Sequence, residues 1–97
     1  METPVETSAT GEQLYLLNCA GCHGGGGEGG VGPVLAGNGR LEDSAFVLGR
    51  LLNGRGAMPA WEGVLSDEQI AVVGSFIRTG LGNDFGPITT NEVTAHD

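Results

Sequence analysis

A chain of 97 residues has room for one domain, and its twelve acidic residues against four arginines, with no lysine, give a net charge of −8. This excess of negative charge argues against binding to nucleic acid or to anionic membrane surfaces, because both require cationic side chains. Nineteen glycines and few aromatic residues leave little side-chain volume for a core, which indicates that a bulky apolar ligand completes the fold.

The amino-terminal part of the sequence predicts a tail followed by a helix. Residues 1–9 show no periodicity and are typical of a flexible tail or linker. Thr10 and Gln13 have the spacing of a capping box, which predicts a helix over residues 11–22. Helical spacing places two sets of residues on adjoining faces of this helix: Leu14, Leu17 and Gly21, and Tyr15, Cys19 and Cys22.

The middle of the chain predicts loops on either side of one helix. Residues 24–33 are mostly glycine, which disfavours a helix or a central strand, and they lack the Gly-Lys-Ser/Thr ending of a phosphate loop. Residues 37–39 predict a turn. Asp43 is placed to cap a helix that runs to about Asn53. Its predicted inner face consists of four apolar residues: Val47, Leu48, Leu51 and Leu52.

The last predicted helix has the clearest signals. Ser66 and Gln69 form a capping box at its start. An apolar stripe then continues to the expected stop at Gly80: Ile70, Val73, Phe76 and Ile77. Gly74 lies on the same stripe, which predicts the close approach of another backbone. The first helix, through Gly11 or Gly21, is the expected partner.

The sequence predicts an all-α fold of three to four short helices with long glycine-rich loops. No segment alternates with the period of two that a strand requires. No stretch reaches the roughly 18–20 apolar residues of a membrane-spanning helix, so we expect no direct membrane insertion. Residues 1–10 also carry no secretory signal, which leaves a mature domain with an added start methionine or a cytosolic chain as the two interpretations.

Both cysteines lie in the motif Cys19-Ala-Gly-Cys22-His23, which has the spacing of covalent c-type haem attachment. Two thiols three residues apart on a helical turn face the same side and can add to the two vinyl groups of haem. The next residue is then placed to bind the iron through its imidazole. Three other interpretations stay open: a zinc site, which needs further ligands, a thioredoxin-like redox pair, which needs a strand–helix–strand setting, and a simple disulfide, which leaves His23 unexplained.

A low-spin haem that transfers electrons needs a second axial ligand, and three residues are candidates. Met1 belongs to the tail, and His96 is a lone histidine near the other end of the chain. Met58 lies on a loop stiffened by Pro59, among small neighbours rather than on an apolar stripe, although an isolated methionine ordinarily fills a core. We therefore expect His23 and Met58 to bind the iron, and a thioether opposite an imidazole raises the reduction potential.

With these residues the chain resembles the class I c-type cytochromes, in particular the small bacterial monohaem forms with His/Met ligation. Six blocks carry the resemblance, from Gly11 to about Gly82: Gly11-x-x-Leu14-Tyr15, Cys19-Ala-Gly-Cys22-His23, Gly32-Pro33-x-Leu35-x-Gly37, Arg50-Leu-Leu-Asn53-Gly54, Met58-Pro-Ala-Trp61 and Leu65-Ser-Asp-Glu-Gln-Ile70. The resemblance implies the cytochrome c fold around one haem c, bound covalently through Cys19 and Cys22.

The resemblance also implies roles for residues outside the haem motif. The carbonyl of Pro33 would accept the second ring N–H of His23. Arg50 would bind a haem propionate, with Arg55 as a weaker candidate. Trp61 would cover the haem edge or donate its indole N–H to a propionate. Two further aromatic residues would meet where the first and last helices cross: Tyr15 and Phe76.

These observations predict a single-haem electron carrier, or the electron-carrying domain of a larger redox complex, and not an enzyme. It would shuttle one electron between a dehydrogenase or reductase and a terminal acceptor such as an oxidase. The alternative is a haem-based gas sensor or a peroxidase-like enzyme with an open iron site, which requires that Met58 does not bind the iron. Residues 10–82 would form the cytochrome c domain, and residues 83–97 a carboxyl-terminal extension.

The acidic composition and the resemblance together give expectations about partners and location. Mitochondrial relatives are rich in lysine around the exposed haem edge, and this chain has no lysine, so their mode of docking does not transfer. We expect a monomer that meets redox proteins with a basic docking patch, in contacts that weaken with salt. We also expect a periplasmic or other extracytoplasmic location, with residues 1–9 following a removed signal, a membrane anchor or another domain.

Overall fold

Five α-helices and one turn of 3₁₀-helix make up the fold in the computed structural model, which describes residues 8–56 and 58–96. The elements are α1 (Ser8–Asn18), α2 (Ala20–His23), the 3₁₀ turn (Gly39–Glu42), α3 (Ser44–Asn53), α4 (Asp67–Thr79) and α5 (Thr90–His96). These residues contain two isolated β-bridges but no strand. The all-α prediction is confirmed, with more helices than the three to four expected.

The amino-terminal helix differs from its prediction at both ends. It begins at Ser8, so Thr10 lies inside α1 instead of capping it, while residues 1–7 of the predicted tail lie outside the described part of the chain. It also stops at Asn18, and α2 follows after Cys19. The Asn18 side chain donates to the carbonyl of Leu14 at 2.9 Å, and the N–H of Cys19 still bonds the carbonyl of Tyr15 at 2.8 Å, so α1 and α2 remain in close succession.

The helix α1 packs against α4 through the face that contains Tyr15. The Tyr15 ring is fully buried, and its centroid lies 5.5 Å from that of Phe76, as expected where these two helices cross. Leu17, on the adjoining face, is 81% exposed. At the crossing, a Cβ on Gly11 would lie 2.8 Å from the Cβ of Phe76 and 2.9 Å from the carbonyl oxygen of Val72. Only glycine permits this separation of the two helices.

The prediction that Gly74 faces the first helix is wrong. A Cβ on Gly74 would lie 3.0 Å from the Cδ1 of Ile88 and 3.4 Å from the Cδ1 of Leu51. The glycine on α4 therefore makes room for the carboxyl-terminal segment and for α3. At Gly21, the other proposed partner, an added Cβ would meet no atom within 4 Å.

The two helices α3 and α4 have the caps that the sequence predicts. The Asp43 carboxylate accepts from the backbone N–H of Ala45 at 3.0 Å. Ser66 and Gln69 form a reciprocal capping box, with bonds of 2.9 and 3.1 Å. The four predicted inner residues of α3 are all buried: Val47, Leu48, Leu51 and Leu52.

The carboxyl-terminal segment packs onto α3 and α4. Ile88 and Val93 are buried, and Phe85 packs against the core from a half-buried position. The Ser75 hydroxyl donates to the carbonyl of Ile88 at 3.0 Å and accepts from its N–H at 2.8 Å. None of the described helices is long and apolar enough to cross a membrane.

Candidate functional site

A cavity of about 500 Å³ lies between the segment that contains the cysteines, the glycine-rich loop, α3 and the loop after α3. Its volume falls within the roughly 300–1,000 Å³ that cofactor and ligand sites occupy. Apolar side chains form much of its wall: Val31, Leu35, Leu41, Phe46, Val47, Leu51 and Ile77.

The imidazole of His23 is held in one orientation at the cavity wall. Its Nδ1 lies 2.8 Å from the carbonyl oxygen of Pro33. A carbonyl only accepts, so Nδ1 carries the proton and Nε2 keeps its lone pair free. The ring also packs closely on Gly32, where a Cβ would lie 2.7 Å from Cε1 and 2.9 Å from Nδ1. His23 is thus buried, fixed and able to bind a metal through Nε2.

Tyr15 forms hydrogen bonds to the backbone on both sides of the two cysteines. The main-chain carbonyl of Tyr15 accepts from the N–H of Cys19 at 2.8 Å, and its phenol donates to the carbonyl of Gly24 at 2.6 Å. One buried residue therefore contacts both ends of the segment that carries Cys19, Cys22 and His23. Burial, and to a smaller extent the nearby Cys22, raises the pKa of the Cys19 thiol to about 11.

Both cysteines line the cavity, Cys19 from a buried and Cys22 from an exposed position, and no disulfide joins them. The described residues contain no group of three His, Cys, Asp or Glu side chains arranged to hold a metal ion. His96, the other histidine, lies exposed in α5 and does not line the cavity.

Met58 and Trp61 reach the cavity from the loop that follows α3. The backbones of Arg55 and Met58 exchange hydrogen bonds of 3.0 and 2.9 Å, which closes a tight turn at the start of this loop. The N–H of Trp61 donates to the carbonyl of Leu51 at 2.9 Å and so anchors the loop to the end of α3. Both side chains are half-buried against the core.

The charges on the cavity are cationic, although the chain as a whole is strongly acidic. Three of the four arginines line it, namely Arg40, Arg50 and Arg55, and no aspartate or glutamate does so among the described residues. The guanidinium carbons of Arg40 and Arg50 each lie 4.7 Å from the centroid of the Phe46 ring. This distribution suits an occupant that carries negative charge on an otherwise apolar body.

The structure brings together on this cavity all seven residues that the sequence singled out: Cys19, Cys22, His23, Pro33, Arg50, Met58 and Trp61. Sequence analysis missed Arg40 and the wall residues Leu41 and Ile77. The scarcity of basic residues was a usable signal for Arg40, since a chain with only four arginines and no lysine makes each arginine a candidate for binding an anionic group. Leu41 and Ile77 carried no such signal.

The residues of this site fit a haem. The cavity is apolar, the free Nε2 of His23 and the thioether of Met58 both belong to its lining, and two thiols stand beside the histidine. Arginines without an acidic neighbour on the cavity match two propionate groups. Each of these features of the protein corresponds to a chemical feature of the cofactor.

One protein family matches most of the chain. The family described as "Cytochrome C oxidase, cbb3-type, subunit III" matches residues 6–77. The match includes every one of the seven predicted site residues and ends within the last turn of α4.

Curated proteins of similar sequence are small cytochromes. Cytochrome c6 of Tetradesmus obliquus is 35% identical over 86 residues, which cover 78% of this chain and 93% of the relative. Cytochrome c6 of Leptolyngbya boryana is 40% identical over 76 residues, covering 72% and 88%. Cytochrome c-551 of Bacillus subtilis (strain 168) is 38% identical over 71 residues, covering 73% of this chain and 62% of the relative.

Proposed function

Because the chain belongs to the cytochrome c family, among its small monohaem class I members, we propose that it shuttles one electron between a dehydrogenase or reductase and a terminal acceptor such as an oxidase. As a member of this family it is an electron carrier with one covalent haem c, and not an enzyme. The observation that supports the proposal most is the meeting of all seven predicted site residues on one apolar cavity.

Each site residue has a role in this proposal. Cys19 and Cys22 would hold the cofactor by thioether bonds, and His23 and Met58 would bind its iron. Pro33 fixes the imidazole through the 2.8 Å bond to Nδ1, which leaves the lone pair of Nε2 free to bind the iron. When bound, haem supplies a reversible one-electron change at its iron.

The remaining lining residues control the environment of that electron. Arg50 holds a propionate, and Trp61 covers the edge of the cavity. The apolar wall excludes water, which favours the state of lower charge and limits the reorganisation that accompanies each transfer. If His23 and Met58 both bind the iron, the protein would leave no open site on it for a substrate.

The surface charges support a partner with a basic docking patch. Arg78 is buried, and the other three arginines line the cavity, so acidic side chains dominate the rest of the described surface. Such a surface attracts a cationic partner over a distance of about 10 Å at moderate salt. We place this encounter in an extracytoplasmic compartment, with a monomeric protein. Residues 10–82 would form the domain and residues 83–97 its extension.

The decisive experiment concerns the role of Met58 in the haem-loaded protein. The wild-type protein should keep its haem under denaturing conditions and show a far-red charge-transfer band in the ferric state. Met58→Leu, which keeps the side-chain volume but removes the sulfur, should lose this band and bind carbon monoxide rapidly when reduced. A wild-type protein that already binds carbon monoxide rapidly at neutral pH would favour the gas sensor or peroxidase-like alternative.

The partner proposal has its own measurement. The second-order rate of electron transfer to a basic redox protein should fall as ionic strength rises, and the rate to an acidic one should rise. Equal salt dependence for the two partners would contradict a basic docking patch on the partner. Neither outcome bears on the role of Met58.

A further inference from the structure

The segment after Ile77 carries two buried polar side chains that contact the cavity wall. The family match ends at Ile77, so this segment lies outside it. Arg78 is 6% exposed and Asn83 is 7% exposed. Burying a polar side chain to this extent costs free energy unless it is hydrogen-bonded. The hydrogen bonds of Arg78 and Asn83 therefore indicate the structural role of each side chain.

The side chain of Asn83 joins three parts of the backbone next to the cavity. Its Nδ2 donates to the carbonyl of Leu35 at 3.1 Å and to that of Ile77 at 2.9 Å. Its Oδ1 accepts from the N–H of Gly37 at 2.7 Å. Leu35 and Ile77 both line the cavity, and Leu35 follows the proline that holds His23 by only two residues. One amide thus fixes the glycine-rich loop against α4.

The guanidinium of Arg78 does the same for the 3₁₀ turn. Its Nε donates to the carbonyl of Leu41 at 2.8 Å and its Nη2 to that of Glu42 at 2.8 Å. The remaining donors bond the carbonyls of the segment that follows Asn83: Phe85, Gly86 and Pro87. Leu41 lines the cavity beside Arg40, which belongs to the same turn. All of the Arg78 contacts are to backbone oxygens, so its task is to hold chain segments together.

We propose that the segment from Arg78 to Ile88 is a structural part of the haem site, in which Asn83 and Arg78 act as positioning residues for the wall formed by Leu35, Leu41 and Ile77. This inference rests on the proposed function, since it assigns a role toward the haem. It adds to that function a structural element that the family match does not contain.

The tightness of this wall controls how much water reaches the haem site, and so affects the reduction potential. A wall whose backbone is tied at the carbonyls of Leu35, Leu41 and Ile77 resists the opening of a gap for water on that side. If it loosens, water enters and stabilises the more highly charged ferric state. The reduction potential then falls, although no residue that touches the iron has changed.

The experiment compares Asn83→Ala with Ser75→Ala in the full-length haem-loaded protein. Ser75 makes two hydrogen bonds to Ile88, which belongs to the same segment. Both residues lie in the described part of the chain, and neither lines the cavity. Each variant therefore loses hydrogen bonds from a side chain to the backbone, three for Asn83 and two for Ser75, and only the first loosens the wall. Asn83→Ser, which keeps a small polar group, carries the comparison if Asn83→Ala does not retain haem.

The expected result is a shift of about three- to tenfold toward the ferric form in the redox equilibrium of Asn83→Ala with a reference mediator. Amide hydrogen exchange should accelerate at residues 35–41 in the same variant, whereas Ser75→Ala should leave both readouts close to wild type. Equal shifts in the two variants, or no shift in Asn83→Ala, would overturn this inference alone. A wild-type protein without covalent haem would reject the proposed function, and this inference with it.

Discussion

At the scale of single residues, the sequence could identify the neighbours that orient His23 and two of the three arginines on the cavity, Arg50 and Arg55, but it did not identify Arg40. The bond to the carbonyl of Pro33 was predictable, because Pro33 belongs to one of the sequence blocks that carry the family resemblance. For Arg40 the sequence offered only the scarcity of basic residues, because its place on the cavity depends on Phe46, whose ring centroid lies 4.7 Å from the guanidinium carbons of two arginines ten residues apart in sequence. Site residues that belong to sequence motifs can be predicted, whereas residues that reach the cavity only through the packing of distant segments cannot.

The close packing of Gly32 on the histidine ring gives the first prediction. Gly32→Ala places a methyl group 2.7 Å from Cε1 of His23, so the imidazole must move or the loop must shift. We expect a loss of about 1–3 kcal/mol in stability and a changed spectrum of the axial ligands. Urea unfolding and the far-red band measure both.

Gly25→Ala is the matched control for this substitution. Gly25 lies in the same loop, has no atom within 4 Å of an added Cβ, and does not have a positive φ. A loss of stability in Gly25→Ala as large as that in Gly32→Ala would show that the loop is sensitive to any side chain, and not that His23 is crowded.

At the scale of elements, the caps of α3 and α4 could be predicted and α5 could not. Capping depends on residues three apart in sequence, as in Ser66 and Gln69. Gly74 was assigned to the wrong partner because its spacing shows that something approaches closely but not which segment does so. The helix α5 has only one buried residue, Val93, and therefore no periodic signal.

The crossing of α1 and α4 gives the second prediction. Gly11→Ala would bring its Cβ to 2.9 Å from the backbone oxygen of Val72, which cannot rotate away as a side chain can. We expect a loss of about 1–3 kcal/mol in the free energy of unfolding, measured in urea. Gly49→Ala in α3 is the control, because its nearest neighbour is 3.8 Å away and alanine favours helix. A stable Gly11→Ala would mean that the two helices are farther apart than described.

The start of α5 gives a prediction about pH. The backbone N–H of Thr89 lowers the pKa of the Glu92 carboxyl, helped by the hydroxyls of Thr89 and Ser44. Because the folded pKa is lower than the unfolded value, this stabilisation is complete above an unfolded pKa of about 4.3 and is lost as pH falls through the folded value. Protection of the Val93 amide from hydrogen exchange should therefore decrease below about pH 4. Glu92→Gln should have weak protection at every pH; an unchanged acid dependence in that variant would exclude Glu92 as its cause.

At the scale of the whole molecule, a haem bound in the cavity would complete the core of this glycine-rich chain. The composition indicated that the side chains alone form a core too small to be stable, and the structure contains a cavity of about 500 Å³ with apolar walls. Composition predicted that an apolar group was needed, and the cysteine motif predicted which one. How residues 83–96 pack could not be predicted, because those residues match no motif.

The dependence of folding on the cofactor gives the last prediction. The double variant Cys19→Ala, Cys22→Ala cannot attach haem covalently and should lose most of the helical signal of the wild-type protein in far-ultraviolet circular dichroism. The physical reason is that the walls of the cavity would face water instead of an apolar partner. Native helicity in this variant would show that the protein alone supplies a sufficient core.

The two bonds of Tyr15 have a mechanical consequence for how the protein meets a partner. Its carbonyl bonds the N–H of Cys19 and its phenol bonds the carbonyl of Gly24, so helix α1 and the histidine-bearing turn share one rigid attachment. A partner that contacts the exposed side of α1, where Leu17 lies, therefore touches a helix that is bonded to the turn carrying His23. The position of His23 is thereby linked to that of α1 through a single buried side chain.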